Sequence, residues 1–227
     1  TADIKVDEFL QKRLKEEFPN DQILSEETEN TVTNYTGRVW IIDPLDGTKL
    51  FTDKIPYFSI NVALCLNGIP ILGVAGTPTE NKIYFAEKNK GAFVKQNNKI
   101  TKLSVSKVNE VSESILITNN YNKKRPFDYI LSNFKVKEHL TRSAFGILLI
   151  ASGKAELFIH PGHHFKKWDT CAPQIIVEEA GGKVTDLLGN SLNYKQKESI
   201  WKNSVVVSNG IIHDKVIDEI KSMKQLD

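Results

Sequence analysis

The sequence predicts an α/β protein built from two lobes that meet near residue 110. Between residues 57 and 100, short β-rich runs alternate with turn signals such as Asn67-Gly68 and Asn97-Asn98, a pattern typical of an antiparallel meander. After about residue 110, the hydrophobic period alternates between two and 3.6, which indicates mixed strands and helices. The 227 residues suffice for one large domain or two packed lobes. We therefore predict a helix-plus-antiparallel-sheet lobe over residues 1–110 and an α/β lobe over residues 111–227.

In the first lobe, a helix is predicted over residues 5–18, because apolar side chains recur along one face while Lys, Arg and Glu fill the other. Residues 22–24 are strand-like. A buried strand is predicted over residues 38–42, ending at Asp43-Pro44, since proline cannot donate to a strand ladder and disfavours helix in the residue before it. Asp43 is therefore placed at the carboxyl end of a strand.

In the second lobe, the elements are predicted from the change of period and from turn residues. They are strand 114–118, helix 125–134, helix 143–152, strand 155–159, helix 170–180, strand 204–208 and helix 212–223. Asp169 directly precedes the helix at 170–180, so we expect it to be the N-cap of that helix.

Composition excludes several classes of function. The net charge of +2 is too small to indicate a nucleic-acid or anionic-membrane partner. The longest apolar run, residues 145–151, is far shorter than the roughly 20 residues that span a bilayer, so no membrane span is expected. Cys65 and Cys171 lie in no metal or disulfide pattern, which favours a reducing, cytoplasmic compartment. No targeting peptide is predicted at Thr1.

The segment from Asp43 to Thr48, Asp-Pro-Leu-Asp-Gly-Thr, places two carboxylates three residues apart on a turn stiffened by Pro44. The carbonyl of Leu45 lies between them, and an all-oxygen cluster of this kind suits a hard cation such as Mg²⁺. An ordinary acidic turn remains an equally good interpretation of this segment alone, because Asp, Pro and Gly are turn residues for local reasons.

Three further acidic segments have simple structural explanations when they are considered singly. Asp169 fits a helix N-cap, and Glu26-Glu27 fits a solvated loop that follows a strand. Asp3 lies just before a helix, where the helix dipole favours an acid. A functional interpretation of any of them therefore depends on the others.

Taken in order, these segments resemble the inositol monophosphatase superfamily of lithium-sensitive, Mg²⁺-dependent phosphomonoesterases. The blocks that carry the resemblance are Asp3, Glu26-Glu27, residues 43–48, Trp168-Asp169 and residues 179–182. The resemblance covers nearly the whole chain. It implies a layered α-β-α-β-α sandwich, as in inositol monophosphatase and fructose-1,6-bisphosphatase. It also implies helical residues before Thr1, so that the chain is either trimmed or a shortened relative.

The resemblance implies two or three Mg²⁺ ions. Glu26, Asp43 and the Leu45 carbonyl would hold a first ion, while Asp43, Asp46 and Asp169 would hold a second. Without cations, so many convergent carboxylates would repel one another and some of their pKa values would rise. Two such ions serve hydrolysis of a phosphate monoester.

The same resemblance implies roles around the scissile bond. Glu26 and Thr48 would orient the attacking water, and the Thr48 hydroxyl would donate to Asp3. The substrate contacts that we expect are the amides of Gly47 and Thr48, together with Ser143 and His160.

The substrate expected from local motifs is 3'-phosphoadenosine 5'-phosphate, because Lys49 after Asp-Pro-Leu-Asp-Gly-Thr and residues 166–173 look more like 3'(2'),5'-bisphosphate nucleotidases. The alternatives are an inositol monophosphatase or fructose-1,6-bisphosphatase activity in the same fold and, less favoured, a non-catalytic protein that binds a phosphorylated metabolite. The expected partner is a small phosphate monoester, with no nucleic acid or membrane. A homodimer is the expected assembly.

Overall fold

A computed structural model describes residues 1–32, 34–118, 135–138, 144–159 and 165–223. The described α-helices are Ala2–Glu17 (α1), Thr48–Thr52 (α2), Ala144–Ala151 (α3), Lys167–Glu179 (α4) and His213–Met223 (α5), and 3-10 turns lie at Glu26–Thr31, Pro78–Glu80 and Val111–Glu113. The described strands are Gln22–Ser25 (β1), Arg38–Asp46 (β2), Ser59–Leu66 (β3), Ile69–Thr77 (β4), Lys82–Glu87 (β5), Gly91–Gln96 (β6), Lys99–Lys102 (β7), Ile115–Thr118 (β8), Lys135–Glu138 (β9), Leu157–Ile159 (β10), Lys183–Asp186 (β11) and Val205–Ser208 (β12).

The first sheet contains β1 to β7 in chain order. β1 pairs with β2 in parallel, and each later strand is antiparallel to the strand before it. Asn67, Asn81 and Asn97 at the hairpin turns have φ of 52°, 51° and 48°. Asparagine tolerates this left-handed backbone better than most residues, which is why these turns could be found in the sequence. The predicted antiparallel meander is confirmed.

The second sheet has the order β11-β12-β10-β8-β9. β8 lies between β9 and β10 and is parallel to both, while β12 is antiparallel to β10 and β11. Successive residues of β12 point to opposite sides of this sheet. Val205 and Val207 belong to the main hydrophobic cluster, and Val206 belongs to a second cluster on the other side.

Helices cover both faces of the first sheet. On one face, Leu10 and Leu14 of α1 pack against Trp40 and Ile42 of β2. On the other face, α4 packs against β3, β4 and β5 and contributes Ile175 to the main cluster. The alternation of side chains along each strand therefore gives this sheet two apolar faces, each buried by a different helix.

α3 and α4 lie between the two sheets, since their apolar side chains share one cluster with residues of both. α5 covers the far face of the second sheet, where Val216 and Ile220 pack with Leu157 and Val206. The layers thus follow the order α-β-α-β-α, and the predicted sandwich is confirmed.

A close approach brings α4 against the first sheet at Gly73. A Cβ atom at this position would lie 2.5 Å from the Ile175 side chain and 2.7 Å from the carbonyl oxygen of Ala172. Real Cβ atoms are not found so near to backbone oxygen, so only glycine allows α4 to lie this deep. This packing matters for the site, because Asp169 lies in the first turn of the same helix.

Several predicted boundaries were wrong. β2 continues past Pro44 to Asp46, because the pairing with β3 shifts between Asp43 and Asp46 and the proline, which has no N–H, falls in this irregular stretch. α4 begins at Lys167 rather than residue 170, so Asp169 is the third helical residue and not the N-cap. α1 begins at Ala2, and β9 and β11 were not predicted.

The helix predicted over residues 125–134 lies outside the described residues. The division at residue 110 stays a prediction; the boundary falls in the segment between β7 and β8. None of the described helices combines the length and the apolar character needed to cross a lipid bilayer.

Candidate metal centre

Two of the candidate acids lie at the end of β2. Asp43 and Asp46 are 1% and 6% exposed, and they face Asn61 and Ser59 of β3 across the strand pair. In a regular strand, residues three apart would point to opposite faces. The shift of register between Asp43 and Asp46 removes this constraint, so both carboxylates reach one point.

The third acid comes from the first turn of α4. The backbone N–H of Lys166 donates to Asp169 Oδ2 at 2.6 Å, which orients this carboxylate at the helix start. Ligand oxygens of Asp43, Asp46 and Asp169 all lie within 4.8 Å of one another. We call these three residues the acid cluster.

Glu26 lies beside the acid cluster. β1 and β2 are parallel, and Ser25↔Ile42 is the last pair between them, so Glu26 and Asp43, the next residue on each side, lie near each other where this pairing ends. Their side chains lie close enough for the charge of Glu26 to raise the pKa of Asp43. Burial raises the pKa of Glu26, and the positive charge of Lys166 partly offsets this effect.

Electrostatics make the acid cluster unfavourable as it stands. Burial, followed by repulsion from Asp46, Asp169 and Glu26, raises the pKa of Asp43 well above its usual value. Burial and then the charge of Asp169 raise the pKa of Asp46 in the same way. For Asp169, mainly burial raises the pKa from 3.8 to about 7, against the opposing hydrogen bond from Lys166. Each ionised form lacks a compensating positive charge at the centre of the cluster.

One atom shows what is missing. Asp43 Oδ1 accepts the N–H of Leu45 at 3.1 Å, whereas Asp43 Oδ2 is buried and has no hydrogen-bond donor. In their ionised forms, the neighbouring Glu26 and Asp169 carboxylates supply none, because ionised carboxylates only accept hydrogen bonds. A hard divalent cation would give this oxygen a partner and would lower the repulsion, so the residues present fit such an ion.

The remaining predicted residues have the following positions. Thr48 Oγ1 donates to the Leu45 carbonyl at 3.0 Å, so its hydrogen bond does not go to Asp3. This carbonyl keeps a second lone pair for an ion. Asp3, on α1, is near enough to Glu26 to raise its pKa slightly. Gly47 has φ of 85°, a left-handed backbone that glycine adopts without strain, and it precedes α2. Ser143 and His160 lie outside the described residues.

The structure adds groups that sequence reasoning missed. Ser59 Oγ donates to Asp46 Oδ2 at 3.0 Å, and the backbone N–H of Ala144 donates to the same oxygen at 2.6 Å. Asn61, opposite Asp43, is buried and neither of its side-chain polar atoms has a partner. Ser59 and Asn61 could have been found from the pairing of β2 with β3, because residues at i and i+2 of one strand share a face.

Comparison with known families identifies a match over almost the whole chain. A family model described as "Inositol monophosphatase family" matches residues 1–225. Inositol monophosphatase 1 of Homo sapiens is 30% identical over 234 residues, which cover 97% of this chain and 80% of the human protein.

Other relatives have names that describe different phosphatases. A fructose-1,6-bisphosphatase/inositol-1-monophosphatase of Thermotoga maritima is 31% identical over 230 residues and covers 96% of this chain and 82% of its own length. A histidinol-phosphatase of Chlorobaculum parvum is 31% identical over 210 residues, with 91% of this chain and 76% of the relative covered. All three names describe phosphatases.

Solved structures agree with the sequence matches. An inositol monophosphatase from Anabaena (Nostoc) superposes with a TM-score of 0.84 at 26% identity, covering 98% of this chain and 86% of that one. The IMPase of Thermotoga maritima has a TM-score of 0.80 at 28% identity, with 96% and 81% covered. The layered fold is therefore shared with structures of this group.

Proposed function

Because the chain belongs to the inositol monophosphatase family, and is thus a metal-dependent phosphoric monoester hydrolase, we propose that it uses Mg²⁺ at the acid cluster to hydrolyse a small phosphate monoester. The observation that carries this proposal is the buried Asp43 Oδ2 without a donor, surrounded by carboxylates with raised pKa values. Such a cluster is stable in its ionised form only around a cation.

The proposed ligand sets follow from the positions of the oxygens. Asp43, Asp46 and Asp169 would hold one ion, since their ligand atoms already converge within 4.8 Å. Glu26, the Leu45 carbonyl and Asp43 would hold another, with Asp43 shared between the two. When bound, such ions supply Lewis-acid activation of water and neutralise charge on the leaving oxygen.

The chain's own residues prepare this chemistry. Glu26, whose pKa is raised by burial, would accept a hydrogen bond from the attacking water and hold it in line with the phosphorus atom. Thr48 would assist through its hydroxyl, which the Leu45 carbonyl now orients. Gly47, lacking a Cβ, would let a phosphoryl group approach the backbone there. A catalytic role for Asp3 and substrate contacts by Ser143 and His160 stay predictions.

For the substrate, the relatives favour an inositol monophosphate over the nucleotide that local motifs suggest. Two of the relatives named above carry inositol monophosphatase activity in their names. The case for 3'-phosphoadenosine 5'-phosphate rests on Lys49, which is exposed on α2 beside the site, and on the motif at residues 166–173. It gains nothing from Lys167, which is fully buried, with its ammonium 3.7 Å from the centroid of the Tyr35 ring.

Phosphate release in Mg²⁺ tests this proposal. We would compare inositol 1-phosphate, 3'-phosphoadenosine 5'-phosphate, fructose 1,6-bisphosphate and histidinol phosphate by kcat/KM, each with and without lithium and with a chelator. A preference for inositol 1-phosphate confirms the assignment, and a preference for the nucleotide restores the motif-based one. Failure of all four substrates, or release that persists under chelation, contradicts the proposal.

Three further properties belong to this proposal and rest on the sequence. We expect lithium sensitivity and a homodimer from the family resemblance, and a cytoplasmic location because the sequence places its two cysteines in no disulfide pattern. The lithium arm of the assay tests the first, and light scattering of the purified protein tests the second.

A further inference from the structure

A polar network links α1 to the chain on both sides of Glu26. Asp7 Oδ1 accepts a hydrogen bond from Ser25 Oγ at 2.5 Å, and Asp7 Oδ2 accepts one from Gln11 Nε2 at 2.7 Å. Gln11 Nε2 also donates to Thr28 Oγ1 at 3.0 Å. We call Asp7, Gln11, Ser25 and Thr28 the α1 tether.

The burial of the α1 tether shows that it is a built feature. Asp7 is 4% exposed and Ser25 is fully buried. A carboxylate is costly to bury unless hydrogen bonds compensate it, and both oxygens of Asp7 are compensated here. Asp7 is moreover the one buried residue among those described in α1, whose exposed face carries Lys, Arg and Glu.

The attachment points of the α1 tether bracket Glu26. Ser25 ends β1, Glu26 follows it, and Thr28 lies two residues further on. Glu26–Thr31 is a short 3-10 helical segment that is interrupted at Thr28, where the backbone leaves helical geometry with φ of −136° and ψ of 44°. Because the helical hydrogen bonding is interrupted there, the side-chain hydrogen bonds of Ser25 and Thr28 help to hold the backbone on both sides of Glu26 in place.

We propose that Asp7 is a positioning residue, which through the α1 tether holds Glu26 so that its carboxylate meets Asp43. This inference rests on the proposed function, because it assumes that Glu26 binds an ion. Hydrophobic contacts already dock α1 on the sheet, where Leu10 and Leu14 pack against Trp40. The α1 tether adds hydrogen bonds to Ser25 and Thr28, which lie beside the candidate metal centre. Its loss should therefore weaken ion binding more than it weakens folding.

Two pairs of variants test the inference. Ser25→Ala removes one hydroxyl of the α1 tether, and Ser114→Ala removes a similarly buried hydroxyl that donates to Glu110 O at 2.8 Å, far along the chain. Thr28→Val removes the acceptor for Gln11, whereas Thr28→Ser retains it. The readouts are the dissociation constant of Mn²⁺ by calorimetry, the Mg²⁺ concentration for half-maximal activity, and the melting temperature of the metal-free protein.

We expect Ser25→Ala and Thr28→Val to weaken Mn²⁺ binding by about 3- to 10-fold, the effect of one lost hydrogen bond. The Mg²⁺ requirement should rise by the same factor, while Ser114→Ala and Thr28→Ser keep the original values. If Ser25→Ala and Thr28→Val only lower the melting temperature and leave Mn²⁺ binding unchanged, the positioning role is wrong.

Glu26→Gln separates this failure from a failure of the proposed function. If Glu26→Gln weakens Mn²⁺ binding but the α1 tether variants do not, only the positioning role is overturned. If Glu26→Gln also leaves Mn²⁺ binding unchanged, Glu26 is not a ligand, and both the ligand assignment and the positioning role fail.

Discussion

Two buried polar sites of this protein differ in whether their hydrogen bonds are complete. At the second sheet, His213 is 1% exposed and both of its ring nitrogens have partners, Thr185 Oγ1 at 2.9 Å and Ser208 Oγ at 2.8 Å. In the acid cluster, Asp43 Oδ2 has none, and three carboxylates repel one another. We interpret a polar site that the fold satisfies by itself as structural, and a buried cluster of acids that it leaves unsatisfied as a candidate ligand site.

The largest expected effect comes from the unsatisfied site. Asp43→Asn should lower kcat by roughly 1,000-fold or more, because it removes the charge that both proposed ions share. The same change removes repulsion, so the metal-free variant should melt at a higher temperature than the original protein. Steady-state kinetics and calorimetry in chelator measure the two effects. Near-normal turnover would contradict the metal assignment.

The satisfied site should respond in the opposite way. His213→Ala removes a buried ring and its hydrogen bonds to the hydroxyls of Thr185 and Ser208, and we expect a loss of about 2–4 kcal/mol in the free energy of unfolding. Activity per folded molecule should not change, because His213 lies on the far side of the second sheet from α4. Urea denaturation and an assay at saturating Mg²⁺ check both parts. A loss of kcat without a loss of stability would contradict the structural role of His213.

The two sites should also give opposite pH dependence of stability. In metal-free protein, the folded-state pKa of Asp169 is raised to about 7, mainly by burial. Its contribution to stability is complete below its unfolded value of 3.8 and is lost as the pH rises through about 7. Melting temperatures in chelator should therefore fall between about pH 4 and pH 7. Mg²⁺ should remove this fall, and Asp169→Asn should make it shallower even without metal, since Asp43 and Asp46 keep their own raised pKa values.

Burial and the charge of Lys183 lower the folded-state pKa of His213 to about 4, against an ordinary value of 6.5. Its contribution is complete above pH 6.5 and is lost as the pH falls through about 4. Asp214 opposes this shift weakly. Acid unfolding of His213→Ala should therefore show a shallower pH dependence between pH 6.5 and 4 than acid unfolding of the original protein.

The smallest effect is expected at a carboxylate that the fold satisfies. Glu179 belongs to one of the blocks that carry the family resemblance, yet its two oxygens accept the N–H groups of Asn89 and Gly91 at 2.7 and 2.8 Å. It therefore holds the β5–β6 turn against the end of α4. Glu179→Ala should cost about 1 kcal/mol of stability and leave kcat and Mn²⁺ affinity unchanged. A weakened Mn²⁺ affinity would mean that Glu179 also supports the metal site and is not purely structural.

The sequence predicted the fold where its local signals agree with the structure. The meander was predictable because its turns contain Asn and Gly in left-handed geometry. The start of α4 was not predictable, because lysine is rarely buried. The burial of Lys167 depends on contacts with Tyr35 and the carbonyl of Gln196, which are distant in sequence. β11 was missed because it is short and has charged residues, Lys183 and Asp186, at both ends; pairing with β12 stabilises it.

The candidate site was predictable as a set of residue types but not as a set of contacts. The order of acids along the chain indicated Asp43, Asp46 and Asp169, which the structure brings together. Sequence could not show that Asp169 is the third residue of α4, or that Thr48 donates to Leu45 instead of Asp3. These details depend on where α4 and α2 begin, and helix ends are the part of a helix that hydrophobic periodicity predicts least precisely.

The depth at which α4 lies over Gly73 links metal binding to folding. The acid cluster joins β2 to a helix more than a hundred residues later, so it exists only in chains where α4 has docked. An ion held there binds the native state alone, and by mass action it stabilises that state by about 2.7 kcal/mol at a concentration 100 times its dissociation constant. A substitution far from the site that loosens this docking would therefore appear first as an increased requirement for the ion.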